Sequence, residues 1–157
     1  MAPSGAHPTL DGSEEKELLV GIATDRLTVA DTMHRGVVTC HVDTPLSKVA
    51  QMMIGHRIHC VVVDSSEEQG RSLWGVVSDL DLAAAFANEQ VEGTAGTIAA
   101  TPAVTVGVRE PLRRAAQLMT EHGVTHLVVV DPRSTRPAGV ISTLDLARVL
   151  ADEPRTT

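Results

Sequence analysis

Aromatic side chains are almost missing from this chain: Trp74 and Phe86 are the only two, and there is no tyrosine. A core without aromatic rings has to be built from Val, Leu, Ile, Ala and Met. The same shortage leaves no stacking platform for single-stranded bases, which removes one common means of binding nucleic acid. Hydrophobic residues still make up 43% of the 157 residues, so the chain has enough apolar side chains for one globular domain.

Positive charge is also scarce, with 13 Lys and Arg against 20 Asp and Glu and a formal net charge of -7. A polyanion gains affinity from basic residues that displace counterions, so this composition disfavours a nucleic-acid partner. No apolar run approaches the ~18 residues of a membrane span. The start MAPSGAHPTL lacks the basic and apolar regions of a signal peptide. We therefore expect a cytoplasmic protein with no membrane partner.

Cysteine is limited to Cys40 and Cys60, which is too few for a disulfide scaffold. Both lie in valine-rich stretches, so we expect buried free thiols. His56 and His59 have no second pair of ligands that would complete a tetrahedral zinc site, and no metal is expected. A Gly-x-Ser-x-Gly nucleophile elbow, a P-loop and a dinucleotide fingerprint are all missing. The sequence therefore favours a protein that is not an enzyme.

The chain does contain a long internal repeat. GVVSDLDLAAAF at 75–86 returns as GVISTLDLARVL at 139–150, with seven of twelve positions identical. The Pro-Leu pair at 45–46 recurs 66 residues later, and the Val-Val-Val-Asp run at 61–64 recurs 67 residues later. Two units, 28–87 and 94–151, follow from this periodicity. The difference in spacing predicts that the first unit is one residue shorter before the strand, between Ile58 and Cys60.

Around the two units we expect a flexible N-terminal segment over 1–27 with a short helix in DGSEEKELLV, a linker over 88–93 and a C-terminal tail over 152–157. Each unit is predicted to run α-β-α-β-β-α. Apolar residues at helical spacing follow Pro45 and Pro111, and the valine runs are typical of strands buried on both faces. Loops are predicted at 65–72 and 132–137.

The repeated Ser-x-x-Asp at Ser78–Asp81 and Ser142–Asp145 has two open interpretations. One is purely structural, because this spacing at the start of a helix is that of a capping box. The other is functional, because a helix N-terminus attracts phosphate and a carboxylate can accept two hydrogen bonds from a ribose diol. On the second interpretation, Gly75 and Gly139 let the backbone pass close to a ligand.

Several matching segments make the chain resemble a tandem pair of cystathionine β-synthase-type (CBS) domains, the Bateman module. They are GVVSDLDLA and GVISTLDLA, IHCVVVD and VTHLVVVD, VVTCHVDTPL and AVTVGVREPL, and the lead TVADTMHRGVV. The resemblance covers 28–151. It implies an α/β (α+β) fold in which two β-α-β-β-α motifs pack sheet to sheet with pseudo-two-fold symmetry. It also implies two clefts that hold AMP, ADP, ATP or S-adenosylmethionine in many relatives, and a homodimer formed through the helices DLAAAFA and DLARVLA.

Carried over by position, the resemblance implies that Asp81 and Asp145 bind ribose hydroxyls and that Ser78 and Ser142 lie near the ribose or phosphate. The other residues implied to line the ligand sites come from the starts of the strands. They are Val38, Thr39, Ile58, His59 and Cys60 in the first unit, and Val104, Thr105, Val124, Thr125 and His126 in the second.

The function expected on these grounds is that of a stand-alone regulatory module without a cofactor. It would bind an adenosine-containing ligand between its two motifs and transmit that event to a homodimer or an unknown protein partner. Two alternatives remain open: a ligand-free dimerisation or scaffold module in which the capping boxes are only caps, and a non-catalytic regulatory subunit of an enzyme complex.

Overall fold

The computed structural model describes residues 11–14, 21, 24–67, 70–134 and 136–151. Most of the predicted N-terminal segment 1–27 and the whole tail 152–157 lie outside these residues. The short helix predicted over 11–20 is described only for 11–14, of which 12–14 are helical. Within the described ranges, every helix is too short or too polar to cross a bilayer.

Both repeats follow the predicted order of elements, with one addition. The first comprises α1 (Val29–Thr32), β1 (His34–Arg35), β2 (Thr39–His41), α2 (Leu46–His56), β3 (Cys60–Glu67), β4 (Gly70–Ser78) and α3 (Asp79–Ala87). The second comprises α4 (Ala95–Ile98), β5 (Thr105–Gly107), α5 (Leu112–His122), β6 (His126–Val130), β7 (Pro137–Ser142) and α6 (Thr143–Leu150). The two-residue strand β1 is the element that the sequence pattern does not predict.

The helices α2 and α5 form where the apolar stripes predict them. Each begins directly after a proline, Pro45 or Pro111, where the missing N–H costs nothing because the first turn has no intrahelical acceptor for it. Each ends at a residue in the left-handed conformation, Arg57 with φ 54° or Gly123 with φ 63°. The apolar stripe of each helix is buried, which fixes the helix against its own sheet.

The strands form two mixed sheets. The three-stranded sheet has the order β2-β3-β4 and the four-stranded sheet the order β1-β7-β6-β5. β3 in the first sheet and β6 in the second each have one parallel and one antiparallel neighbour. The loop predicted at 65–72 is largely wrong, because the β3–β4 hairpin continues through the pairs Ser65↔Ser72 and Glu67↔Gly70. A polar composition indicated a loop there, but polar residues also suit hairpin arms that lie in water.

The predicted one-residue shortening between Ile58 and Cys60 is also wrong. Thr39 pairs with Val62 in the first sheet and Thr105 with Val128 in the second, so both central strands keep the same 66-residue offset. The structural equivalent of Cys60 is therefore His126. The 67-residue recurrence of Val-Val-Val-Asp does not align equivalent positions, because Asp64 corresponds to Val130 in the parallel pairing.

The segment that opens each repeat, which we call its lead, packs against the other repeat. The lead of the first repeat contains α1 and β1, and the lead of the second contains α4. Val29 and Met33, from the lead of the first repeat, are fully buried in the core of the second. Ala95, from the lead of the second, is fully buried in the core of the first. A third cluster, which includes Val62 and Val128, joins the two sheets face to face. This is the sheet-to-sheet, pseudo-symmetric arrangement that the resemblance implies, with the addition that each core is completed by the other repeat.

Candidate functional site

The residues predicted to bind a ligand gather where several strand ends of each sheet meet. We call this end of the strands the first edge in the first repeat and the second edge in the second repeat. In the first repeat, β2 and β3 are parallel and start at this edge, and the antiparallel β4 ends there. The Val62 N–H donates to the Val38 carbonyl at 3.0 Å, and Cys60 pairs with Ser78. The predicted residues at this edge are Val38, Thr39, Ile58, His59, Cys60 and Ser78, with Asp81 one turn into α3.

The second repeat repeats this edge in the same register. The Val128 N–H donates to the Val104 carbonyl at 3.1 Å, and His126 pairs with Ser142. The predicted residues at this second edge are Val104, Thr105, Val124, Thr125, His126 and Ser142, with Asp145 one turn into α6. Each predicted set therefore occupies one contiguous strip at the N-terminus of a helix.

At the first edge, Ser78 and Asp81 form a capping box. The Ser78 N–H and hydroxyl donate to Asp81 Oδ2 at 2.7 and 2.8 Å, and the Asp81 N–H donates to Ser78 Oγ at 3.3 Å. Ser78 is buried and Asp81 is half-buried. Among the described residues no donor contacts the second carboxylate oxygen, Oδ1, of Asp81. We refer to this group, Ser78 with Asp81, as the first acid corner.

At the second edge, Ser142 and Asp145 form the same capping box, which we call the second acid corner. Asp145 Oδ2 accepts from the Ser142 N–H and hydroxyl at 2.8 and 2.9 Å. Its Oδ1 also has partners: His34 Nε2 at 2.8 Å and Arg148 Nη1 at 3.3 Å. The Asp145 side chain is only 2% exposed, so both of its oxygens are bonded within the chain.

His34 and Arg148 are site residues that the sequence patterns did not single out. His34 lies on β1, which crosses to pair with β7 of the second repeat, opposite Val140. The equivalent crossing in the other direction places Ala100 opposite Val76. An alignment of the two leads at the 66-residue offset places His34 against Ala100 and is the signal that could have found this position.

Gly75 and Gly139 are close to protein rather than to an open ligand space, which corrects the sequence interpretation. A β-carbon on Gly75 would lie 2.5 Å from the Ala100 carbonyl oxygen, and one on Gly139 would overlap the His34 carbonyl oxygen. The small residue is needed because the lead of the opposite repeat runs directly over it. These glycines therefore serve the crossing of the leads.

The two edges are close enough for their charges to interact. Burial lowers the pKa of His126, and the charges of Asp79, Asp145 and Asp81 oppose that lowering. Burial raises the pKa of the Cys60 thiol to about 12, with further contributions from Asp79 and Asp145. Carboxylates of both repeats thus act on the same two groups, Cys60 of the first repeat and His126 of the second.

Asp79 adds a second carboxylate to the first edge only. Its Oδ2 lies 2.9 Å from His59 Nδ1, and both side chains are more than half exposed. Its equivalent in the second repeat is Thr143, which carries no charge. The first edge is therefore the more acidic of the two.

An open cavity of about 440 Å³ lies between α2 and α3 of the first repeat. Its lining includes Ile58 and His59 from the predicted set, together with Asp79 at the start of α3. Ser78 and Asp81 do not line it. It is a groove beside the first acid corner and does not contain the corner itself. Within the part of the chain that the structure describes, no three His, Cys, Asp or Glu side chains converge as metal ligands.

Comparison with solved structures shows the same fold in several CBS proteins. A CBS domain pair in complex with 5′-methylthioadenosine and S-adenosyl-L-methionine has a TM-score of 0.70 and 24% identity, over 80% of this chain and 97% of that one. A CBS domain protein from Pyrobaculum aerophilum complexed with AMP has a TM-score of 0.67 and 25% identity, over 80% and 97%. The CBS domain of a bacterial CNNM/CorC family Mg2+ transporter in complex with ATP has a TM-score of 0.70 and 18% identity, over 90% and 99%.

Among curated proteins, homoserine O-acetyltransferase from Methanocorpusculum labreanum is 28% identical over 152 residues. The match covers 96% of this chain, and the chain spans only 30% of the length of that relative. The sequence profile of the CBS domain matches this chain twice, over residues 29–88 and 95–152. Since these two matches take up most of the sequence, the chain belongs to the CBS domain family and carries two CBS motifs in tandem.

Proposed function

We propose that this CBS domain pair is a regulatory module that binds an adenosine-containing small molecule between its repeats. The observation that carries the proposal is the first acid corner. Ser78 holds one oxygen of Asp81 in place, and among the described residues nothing bonds the other oxygen. A ribose diol offers two neighbouring hydroxyl donors, which a half-buried carboxylate fixed in this way can accept.

The surroundings of the corner support the same ligand class. The N-terminus of α3 adds the positive end of a helix dipole, which suits a polar ligand group. Its first three N–H groups are already bonded, to the His59 carbonyl, Asp79 Oδ1 and Ser78 Oγ. Val38, Ile58 and Thr39 on the neighbouring strand ends provide partly apolar surface for a base. The solved relatives in complex with methylthioadenosine, S-adenosylmethionine, AMP or ATP have this fold, which supports an adenosyl ligand without identifying which one.

Regulation follows from the position of the site between two mutually completed repeats. A ligand shifts a conformational equilibrium only by the difference in its affinity for the two states. A molecule that contacts both edges can make all its contacts only at one separation of the repeats. Its affinity therefore depends on how the repeats are arranged. A change in this arrangement would then alter the contacts that the outer helices make with a second copy or a partner protein.

Isothermal titration calorimetry with AMP, ATP and S-adenosylmethionine tests the proposal. We expect at least one of them to bind, and Asp81→Asn, which keeps the shape of the side chain, to weaken binding at least tenfold. Asp43→Asn is the matched control because Asp43 is 87% exposed and, among the residues that the structure describes, pairs only with His41. No binding by any of the three, or equal affinity of both variants, would contradict the proposal.

A second role, self-association, is favoured by exposed apolar side chains on the outer helices. Ile54 is 78% exposed on α2, Leu80 and Phe86 are 62% and 79% exposed on α3, and Leu144 and Leu150 are 50% and 67% exposed on α6. Burial of such side chains is the usual driving force of association. We propose a homodimer that buries α3 and α6.

Sedimentation equilibrium of Phe86→Glu tests the dimer. We expect the wild type to be dimeric and this variant to dissociate, whereas Val91→Glu, which changes a 47% exposed residue in the linker, remains dimeric. A monomeric wild type would contradict the homodimer and leave the ligand proposal standing.

A further inference from the structure

The two acid corners differ in a way that the repeat itself reveals. At the second corner, Asp145 Oδ1 lies 2.8 Å from His34 Nε2 and accepts a hydrogen bond from Arg148 Nη1 at 3.3 Å. At the first corner, the position equivalent to His34 is Ala100 and the position equivalent to Arg148 is Ala84. Both donors that close the second corner are therefore replaced by methyl groups at the first.

The equivalence of these positions is fixed by backbone pairing. His34 lies opposite Val140 and Ala100 opposite Val76. Val76 and Val140 each stand two residues before the capping serine of their own corner. Arg148 and Ala84 occupy the same turn of their helices, six residues after that serine. The comparison therefore joins corresponding sites of one backbone plan that carry different side chains.

We infer that His34 and Arg148 occupy the ribose position at Asp145. The module then binds a single adenosyl ligand per chain, at Asp81. The inference rests on the proposed function and deepens it. At Asp145 a ribose diol has to displace His34 and Arg148 from a carboxylate whose side chain is only 2% exposed. At Asp81 it displaces only solvent from Oδ1. His34 and Arg148 are thus residues that determine how many ligands bind.

The pseudo-symmetry supplies matched variants in both directions. His34→Ala with Arg148→Ala copies the first corner into the second. Ala84→Arg, which changes an exposed residue, and Ala100→His together copy the second corner into the first. The side chain of His34 is 62% exposed, so its truncation leaves the backbone pairing of β1 in place. Circular dichroism melting confirms that each variant is folded, and Ala84→Arg alone serves if the half-buried Ala100 does not tolerate histidine.

Isothermal titration calorimetry with S-adenosylmethionine and with AMP measures the number of sites. We expect one site in the wild type, lost with Asp81→Asn and kept with Asp145→Asn. We expect two sites in His34→Ala/Arg148→Ala, and at least tenfold weaker binding in Ala84→Arg with or without Ala100→His.

The outcomes separate this inference from the proposed function. Two sites in the wild type, or one site that is lost with Asp145→Asn, would overturn the inference while the proposed function stands. A single site that remains single in His34→Ala/Arg148→Ala would overturn the role of the two donors. Absence of binding by either probe in every variant would overturn both the inference and the proposed function.

Discussion

The carbonyl oxygen of His34 occupies the space that a β-carbon on Gly139 would need. This approach places β1, a strand from the lead of the first repeat, on the edge of the sheet of the second. The same approach, slightly looser, joins Ala100 to Gly75. The glycine ahead of each acid corner is thus a condition for the contact between repeats, and the imidazole of His34 reaches Asp145 because of it.

Substitution of these glycines should separate the leads from the sheets. We expect Gly139→Ala and Gly75→Ala each to lower the free energy of unfolding by about 1–3 kcal/mol, because the added methyl overlaps backbone that cannot move aside freely. Gly55→Ala is the control, since nothing lies within 4 Å of its added β-carbon. It should raise stability by about 0.5 kcal/mol through helix propensity. Urea denaturation measures all three, and equal effects at Gly55 and Gly139 would refute the crowding argument.

The thiols should be unreactive in the folded protein. Cys40 and Cys60 are both 8% exposed, and burial raises the pKa of Cys60 from 9.0 to about 12. At pH 8 this shift reduces the thiolate fraction about a thousandfold. We expect Ellman's reagent to label neither residue in the native state and both in guanidinium chloride. Between pH 9 and 12 the unfolded state loses the Cys60 proton first, so stability should fall as pH rises through this window. Fast native labelling that persists in Cys40→Ser would show that Cys60 is accessible after all.

His126 should make the fold less stable in mild acid. Burial lowers its pKa below the ordinary 6.5, so the unfolded state binds more protons as pH falls below that value. Stability is therefore retained above pH 6.5 and lost as pH falls toward the lowered pKa, by about 1.4 kcal/mol for each unit of lowering. Urea midpoints at pH 7.5 and 5.5 measure the loss. His126→Gln should reduce the difference between the two midpoints, and His122→Gln, at the exposed end of α5, should not. A difference that His126→Gln leaves unchanged would assign the loss to other groups.

The ligand of the first corner should be neutral or cationic at its 5′ end. Asp79 and Asp81 both lie at this corner, whereas Arg57 is the one lysine or arginine in the lining of the adjoining groove. We expect S-adenosylmethionine, with its sulfonium charge, to bind about tenfold more tightly than ATP, a difference of about 1.4 kcal/mol. Asp79→Asn should reduce the ratio of the two affinities. Added salt should weaken the binding of S-adenosylmethionine relative to that of ATP. Tighter binding of ATP at low salt would rule out this electrostatic preference.

Much of the fold could be predicted because the sequence pattern of each element occurs in both repeats. The apolar stripe after Pro45 and the valine run after Ile58 each indicate one element, and their recurrence makes both assignments firm. The capping boxes at Ser78 and Ser142 are local patterns, so their geometry follows from spacing alone. Parallel and antiparallel pairing brings the predicted site residues of each repeat to one edge, and their role in binding stays a prediction.

The crossing of the leads could not be predicted from local sequence. Val29 and Met33 have the spacing of a buried helix, but that pattern does not say which sheet covers them. Val29 and Met33 pack against the opposite repeat because of pairing between residues far apart in the sequence. The strand β1 has two residues, too few to show the alternation of a strand in the sequence. For the same reason no local pattern marks His34, although its place beside Asp145 distinguishes the two corners.

The exchange of α1 and α4 has a consequence for the origin of the chain. A polypeptide with only one repeat would have an unfilled hollow where Val29 or Ala95 now packs, together with a lead whose apolar face has no cover. Two such polypeptides could satisfy each other only by trading their leads, as a domain-swapped pair. In the present chain both members of such a pair are covalently joined, so His34 of the first repeat and Arg148 of the second can differ from their counterparts Ala100 and Ala84.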